Sequence, residues 1–416
     1  MAKKKKNKWV KLRHKVITGL FYPFFFLHAK LKYKIKFKKP DIGRRQYFVV
    51  SNHQALWDQF FVSLLLKRTI YYVASEDLYE KGFLSKLLHF AVAPIPIKKN
   101  ATDVKAVMTM LRVKKEGGTI AIFPEGNRTY SGETGYIKPA IGALIKILKL
   151  PILCVQIKGG FGAHPRFASN IRKWPVEVSV KKIIEYDEYK DFSEEQCYQM
   201  IKDAIYFNEF DNVGDNVYSN KHSAEFMERA YYVCPKCKKI VKLYSNGQFV
   251  ECPNCGVKLM YDKHLSLVPV NGDFPFTRLD DWYRYQENFI TNFDLTPYFE
   301  TPIFEDVATL VETAHYKKPK ILHKDATIKL YANRYEVVDG NNVATFLFDD
   351  ISATTAQNSN TEAFYVDDKI YQLHGSERFA VLIYVNIFYH YKNNLVGGVY
   401  VQPSGDSRTS REFLGL

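Results

Sequence analysis

Val50-Ser51-Asn52-His53-Gln54-Ala55-Leu56-Trp57-Asp58 is the stretch from which the fold is read. Tyr47-Phe48-Val49-Val50, just before it, is a short apolar run of the kind that forms a buried strand. Ser51 and Asn52 are good helix-capping residues, and Leu56 to Leu66 is apolar enough for a helix packed on a sheet. His53 is therefore expected at a strand-to-helix turn, where open α/β sheets collect ligands. Asp58 is expected in the first helical turn, where a negative charge is favoured. A carboxylate on one imidazole nitrogen sets the tautomer and leaves proton transfer to the other. That is the base-plus-orienter logic of the serine hydrolase triad without a protein nucleophile, so the nucleophile would be a substrate hydroxyl.

A His and an Asp five positions apart also suit an ordinary cap and first turn. Two further strand ends give the pair its weight. Thr119-Ile120-Ala121-Ile122-Phe123 has the pattern of a buried strand and runs into Pro124-Glu125-Gly126-Asn127-Arg128-Thr129. Glycine allows close backbone approach, and arginine can fork onto phosphate oxygens. Pro94-Ile95-Pro96-Ile97 closes on Lys98-Lys99, a second source of cations. Base, cation pair and Glu/Arg turn would then share one edge of one sheet.

These residues resemble the PlsC-type 1-acylglycerol-3-phosphate acyltransferases. His53 through Asp58 matches the family's H-x4-D motif, and Phe123 through Thr129 resembles its FPEGTRS motif. Ile97-Lys98-Lys99 stands where the family has a strand ending in arginine, and Pro151 to Val155 resembles its later apolar motif. The resemblance covers roughly residues 15–210. It implies an α/β fold with a mixed sheet flanked by helices. It also implies acyl transfer from a thioester, acyl-CoA or acyl-carrier protein, to the free hydroxyl of lysophosphatidic acid, giving phosphatidic acid. His53 would be the general base, Asp58 its orienter, and Arg128 with Lys99 the phosphate grip. Glu125 would position Arg128 or the acceptor, with Gly126 giving room. No catalytic cofactor is implied. Lys99 and Asn127 depart from the family's Arg and Thr, and lysine keeps the charge but loses the fork. Another lysolipid or a polyol therefore stays open as acceptor. So does an inactive, membrane-associated adaptor, against which the intact His53, Asp58, Glu125 and Arg128 argue.

Of the 59 basic residues, 16 lie in residues 1–45 with one acid, Asp41; the rest of the chain holds 43 of each sign. A nucleic-acid protein would spread its charge over a folded face, so no nucleic-acid partner is expected. The uncharged run Val16 to Ala29 has 14 residues, short of the roughly 20 that span a bilayer. A signal peptide shares its charge order, but no small-residue cleavage site follows. A buried core segment is the plainest alternative. A monotopic anchor on an anionic membrane surface fits charge and aromatics together, and the resemblance implies a membrane-inserting N-terminus. The expected location is the cytoplasmic face of a membrane. Leu31 to Lys38 alternates strictly and predicts an amphipathic strand. Asn100 is the expected cap of the next helix.

Cys234-Pro-Lys-Cys237 and Cys252-Pro-Asn-Cys255-Gly256, fourteen residues apart, have zinc-ribbon spacing. Four thiolates leave no open position, so the zinc would be structural. Two C-x-x-C pairs also fit a reducing compartment. Beyond the ribbon the pattern turns β and resembles a pleckstrin-homology-like or GRAM-like domain. The expected organisation is a membrane-associating segment at 1–30 and the acyltransferase domain at 31–210. A polar linker at 211–229, the ribbon at 230–262, a connecting segment at 263–325 and the β-rich module at 326–416 follow.

Overall fold

The structure is a computed structural model that describes residues 8–38, 41–75, 83–97, 103–218, 220–313, 319–367 and 369–402. Lys99, Asn100, the lysines at 3–6 and the tail from Pro403 lie outside these residues. The chain forms two compact units. The first holds residues 1–129, 137–163 and 173–209; the second holds 130–136, 164–172 and 210–416.

The first unit alternates strand and helix: α1 (Leu12–Tyr33), β1 (Lys36–Phe37), β2 (Phe48–Ser51), α2 (Asp58–Leu66), β3 (Ile70–Ser75), α3 (Phe83–Val92), β4 (Ile95–Ile97), α4 (Val104–Lys115), β5 (Thr119–Ile122), α5 (Ala140–Leu148), β6 (Ile152–Lys158), α6 (Gly160–Ala163), β7 (Glu177–Ile184), α7 (Tyr186–Tyr189) and α8 (Glu194–Ile205). Its seven-stranded sheet has the order β1-β7-β6-β2-β5-β3-β4. β2 runs parallel to both neighbours, β5 and β6, while β7 pairs antiparallel to β6. The sheet is mixed, as expected. β2 to β6 point the same way, so their C-terminal ends share one edge.

Apolar side chains from the strands and helices make the core. Phe48, Val50, Ile120, Ile152 and Cys154 pack with Ile141, Ile145, Cys197 and Ile201 of α5 and α8. The two helices approach so closely at Gly142 that a Cβ there would stand 2.0 Å from the Glu194 carbonyl oxygen. Ser193 caps α8 in a reciprocal box with Gln196.

Three local expectations need correction. The alternation of Leu31 to Lys38 is mostly helix, since α1 continues to Tyr33 and only Lys36–Phe37 is strand. A residue pair four apart satisfies both periods: Ala29 and Tyr33 are buried on one helical face, and Tyr33 packs on Phe61. The helix α4 is capped by Asp103, which accepts from the Ala106 amide, rather than by Asn100. Asn52 caps nothing; Trp57 holds the N-cap position of α2.

In the second unit, residues 211–229 are packed rather than a loose linker: Tyr218, Ala224, Met227, Glu228 and Arg229 are all buried. The ribbon comprises β8 (Val233–Cys234), β9 (Lys239–Ile240), β10 (Tyr244–Asn246), β11 (Phe249–Glu251), β12 (Lys258–Tyr261) and β13 (Leu267–Asn271). The helix α9 (Leu279–Thr291) anchors it. Trp282 Nε1 donates to the Val233 carbonyl at 2.8 Å, and Gln286 Oε1 accepts from the Tyr232 and Val233 amides.

The β-rich module starts at Phe304, not at 326. β14 (Phe304–Thr313), β15 (Lys320–Leu330), β16 (Arg334–Asp339), β17 (Asn342–Leu347), β18 (Ile351–Gln357), β19 (Thr361–Val366) and β20 (Lys369–Gly375) form one antiparallel sheet, ordered β17-β16-β15-β14-β20-β19-β18. The strand β14 mixes charged with apolar residues and hides its period from composition. The helix α10 (Val381–Asn393) follows, buried along most of its length.

Within the module the fully buried Glu362 carboxyl accepts from Tyr335 and Thr354 hydroxyls at 2.7 Å each. Burial outweighs the two donors and pushes it up to about 7, from about 4.5 in the unfolded chain. Between those values the folded protein keeps a proton that the unfolded chain has released. The contribution of this carboxyl to stability is therefore greatest below about 4.5 and is lost as pH rises toward 7, with a slope of up to roughly 1.4 kcal/mol per pH unit. Glu362→Gln should flatten that stretch of the profile. Thermal midpoints of both proteins across pH 4.5–8 check this, and an unchanged slope in the variant would refute it.

Candidate active site

β2 ends at Ser51, and the next residue is a clasp. Asn52 Nδ2 donates to the Ile157 carbonyl at 2.8 Å, and the Ile157 amide donates back to Asn52 Oδ1 at 2.9 Å. This fastens the turn after β2 to β6. A carboxamide can act as donor and acceptor at once, which serine or aspartate cannot do in the same geometry.

His53 follows. Its Nδ1 lies 2.8 Å from Asp58 Oδ2. The same oxygen accepts from the Gln54 and Ala55 amides at 2.6 and 2.8 Å. Asp58 is fully buried at the first position of α2, while the His53 side chain is partly exposed. A buried carboxylate with three donors on one oxygen is fixed in place, and it fixes the imidazole in turn. The pairing directs proton transfer to Nε2.

The loop after β5 holds the backbone of the same histidine. The His53 amide donates to Glu125 Oε1 at 2.6 Å, and the Thr129 amide donates to the His53 carbonyl at 2.9 Å. Phe123 lies nearly flat on the imidazole, with centroids 4.3 Å apart and planes at 22°. Tyr72 is stacked on Phe123 in turn, and its hydroxyl donates to the Gln59 carbonyl at 2.7 Å. Gly126 is exposed with φ of 71°, a conformation that favours glycine, and its amide closes a turn onto the Phe123 carbonyl.

The structure thus brings together His53, Asp58, Glu125, Gly126 and Arg128. Arg128 is half-buried. Arg128 and Asp58 both act electrostatically on the Tyr33 phenol. Burial first, then the Asp58 carboxylate, hold Tyr33 well above its usual range, and Arg128 opposes them. Orienter and cation therefore lie within electrostatic reach of one side chain. Glu125 has a task beyond the expected one, holding the His53 amide. Sequence reasoning missed the Asn52 clasp, the Phe123 ring and Tyr33. The first two sit inside the quoted motifs, so adjacency to His53 and Glu125 was their only signal.

The four ribbon cysteines also converge. Their sulfurs all lie within 4.8 Å of one another, with Cys234–Cys255 at 3.8 Å and Cys237–Cys252 at 3.9 Å. A tetrahedron with zinc–sulfur bonds of 2.3 Å has edges of about 3.8 Å. The two knuckles match each other: Lys238 and Gly256 both have positive φ, and each donates its amide at 2.8 Å to the carbonyl of the first cysteine in its pair. The donor set fits a structural tetrahedral metal.

Residues 32–158 match the family model described as Acyltransferase. Among solved structures, the chain is similar to the 1-acyl-sn-glycerophosphate (LPA) acyltransferase PlsC from Thermotoga maritima. The identity is 19%, covering 45% of this chain and 76% of that one, with a TM-score of 0.39. No curated protein matches the chain.

Proposed function

We propose that the first unit transfers a fatty acyl group from a thioester, acyl-CoA or acyl-carrier protein, to the free hydroxyl of a lysophospholipid, with lysophosphatidic acid the leading acceptor. The observation that carries this reading is the His53–Asp58 pair, 2.8 Å apart at the C-terminal edge of the sheet. The match of residues 32–158 to the Acyltransferase family supports it. His53 Nε2 takes the proton of the acceptor hydroxyl as its oxygen attacks the thioester carbonyl. The tetrahedral intermediate collapses, the carbon–sulfur bond breaks, and the imidazolium returns the proton to the departing thiolate. Asp58 holds the ring and stabilises its charged form. The Phe123 ring face is a favourable neighbour for that imidazolium. Arg128, with Lys99, grips the acceptor phosphate.

The substrate is amphiphilic, and α1 suits a membrane surface. Leu12, Val16, Leu20, Phe24, Leu27 and Leu31 are spaced for one helical face, and each is more than half exposed. Lys11, Arg13, Lys15, Lys30 and Lys32 flank that stripe. No helix among the described residues is long and apolar enough to cross a membrane, so the helix would lie in the interface. Leu20→Glu together with Phe24→Glu should abolish sedimentation with vesicles containing anionic lipid. Binding that survives would remove the helix from this role.

The reading is tested by transfer of a radiolabelled acyl group to lysophosphatidic acid in vesicles, beside acceptors lacking phosphate. Product from the phosphate-bearing acceptor alone supports it. Product from phosphate-free acceptors alone moves the assignment to a polyol, and no product from any acceptor favours the adaptor.

A further inference from the structure

Trp57 stands where a polar residue ordinarily stands. It holds the N-cap position of α2, yet its side chain makes no capping hydrogen bond; Ser, Thr, Asp or Asn would offer an oxygen to the first helical amides. Its carbonyl accepts from the Phe60 and Phe61 amides at 2.9 and 3.0 Å, so its backbone is the fixed start of the helix. The indole packs instead of capping. The His28 ring lies on it at 4.3 Å with planes at 31°, and Phe25 stands 6.0 Å away at 57°. Phe60 closes the group, 4.9 Å from Trp57 and 4.3 Å from Phe25.

Phe25 and His28 belong to α1 and are three positions apart, so they share one face of that helix. Their sequence neighbours Phe24 and Leu27 are more than half exposed, in the stripe proposed above for the lipid surface. His28 contributes a ring face. Its Nε2 is buried and meets no hydrogen-bond partner among the described residues. Burial first, then the Lys32 charge, holds the imidazole below its usual range, so it packs as a neutral ring.

One peptide bond joins Trp57 to Asp58, whose Oδ2 gathers the His53 ring and the Gln54 and Ala55 amides. The turn from His53 to Leu56 is therefore held at one end by Asn52 on β6 and at the other by Trp57 on α1. We infer that Phe25 and His28 are positioning residues for the base: through Trp57, the inner face of α1 sets the Asp58 carboxylate against the His53 imidazole. The inference rests on the roles proposed above for His53 and Asp58. A misplacement of about 1 Å can cost about 10²-fold in rate, and removing one ring of the four should cost part of that.

The test uses the full chain with soluble, short-chain donor and lysophosphatidic acid, so that vesicle binding does not enter the rate. Phe25→Ala and His28→Ala should each lower kcat about tenfold and change the acceptor KM less than about twofold, because the rings bear on the base and not on the phosphate. His28→Phe keeps a ring and should restore most of the rate. In a Trp57→Ala background, His28→Ala should add less than about twofold. The control is Phe26→Ala, which removes an α1 ring stacked on Tyr22 and Phe37; it should leave kcat as it is. Amide hydrogen exchange at Gln54 and Ala55 should speed in Phe25→Ala and His28→Ala and not in the control. Unchanged kcat in both alanine variants, an equal loss in the control, or a full further loss in the Trp57→Ala background overturns the inference. Where alanine unfolds the chain, Phe25→Leu carries the reading: a lower kcat with faster exchange at Gln54 supports the inference, and neither overturns it. If the wild type transfers no acyl group to any acceptor, the proposed function fails, and exchange alone decides whether α1 holds the turn.

Discussion

His53→Ala should lower acyl transfer to lysophosphatidic acid by about 10²–10⁴-fold, the range for loss of a positioned general base. The loss should appear in kcat, because the imidazole acts on the reacting hydroxyl rather than on the phosphate. Asp58→Asn should come close to the same loss for a different reason. One Asp58 oxygen accepts from the His53 ring and from the Gln54 and Ala55 amides. An amide oxygen in that place could still meet the backbone donors, but its neutral dipole would stabilise the imidazolium far less than a carboxylate does. An amide nitrogen there would instead face three donors. Far-ultraviolet circular dichroism checks that both variants fold, since removing a carboxylate that ties the start of α2 to its preceding turn can also loosen that turn. Transfer that persists undiminished in folded His53→Ala would place the base elsewhere. Transfer lost in Asp58→Asn but kept in His53→Ala would make Asp58 a structural residue and leave the chemistry unassigned.

The parts of this site that could be read in advance are those where a motif and a strand end coincide. Val49-Val50 and Ala121-Ile122 are uniformly apolar because a central parallel strand is covered on both faces. That made β2 and β5 legible, and with them the edge where His53 and Glu125 stand. The Asn52 clasp was not legible, because its partner is the backbone of Ile157, 105 residues away. Nothing in the side chain of Ile157 announces that its amide and carbonyl are the ones used. The end of α1 was misread for a related reason. Its alternating lysines answer to the surface, while the choice of helix is made by Ala29 and Tyr33 packing inward. The segment 211–229 was misread through composition. Its Asn and Asp suggest a linker, but Arg229 reaches the carbonyls of Phe167 and Glu377, and buried charges of that kind are invisible to a count of polar residues. The β-rich module's late start has the same origin, since β14 carries Glu305, Asp306 and Glu312 among its apolar positions.

The ribbon should carry one tightly held zinc ion per chain, and removing it should unfold that region outright. Structural Zn²⁺ sites of this donor type bind with apparent free energies of about 10–16 kcal/mol at neutral pH. The strands that carry and adjoin the cysteines are short: β8 and β9 have two residues each, and β10 and β11 three. The fold itself supports the knuckles through Trp282 and Gln286 at β8, one amide–carbonyl turn in each pair, and the Cys252 amide donating to the Val257 carbonyl at 2.9 Å. Cys237→Ser is the sharper variant, because Cys237 is partly exposed and its loss leaves little cavity, whereas Cys234 and Cys252 are buried. The variant should lose the metal, and its ribbon amides should exchange as fast as those of the wild type treated with a strong chelator. Metal content measured by atomic emission, beside thiol titration of the native protein, decides the matter. Four cysteines that react at once with a thiol reagent in freshly purified protein, with no metal present, would mean that the 3.8 and 3.9 Å sulfur pairs are held by the fold alone. Metal bound equally well by Cys237→Ser would mean that the ion sits on other ligands.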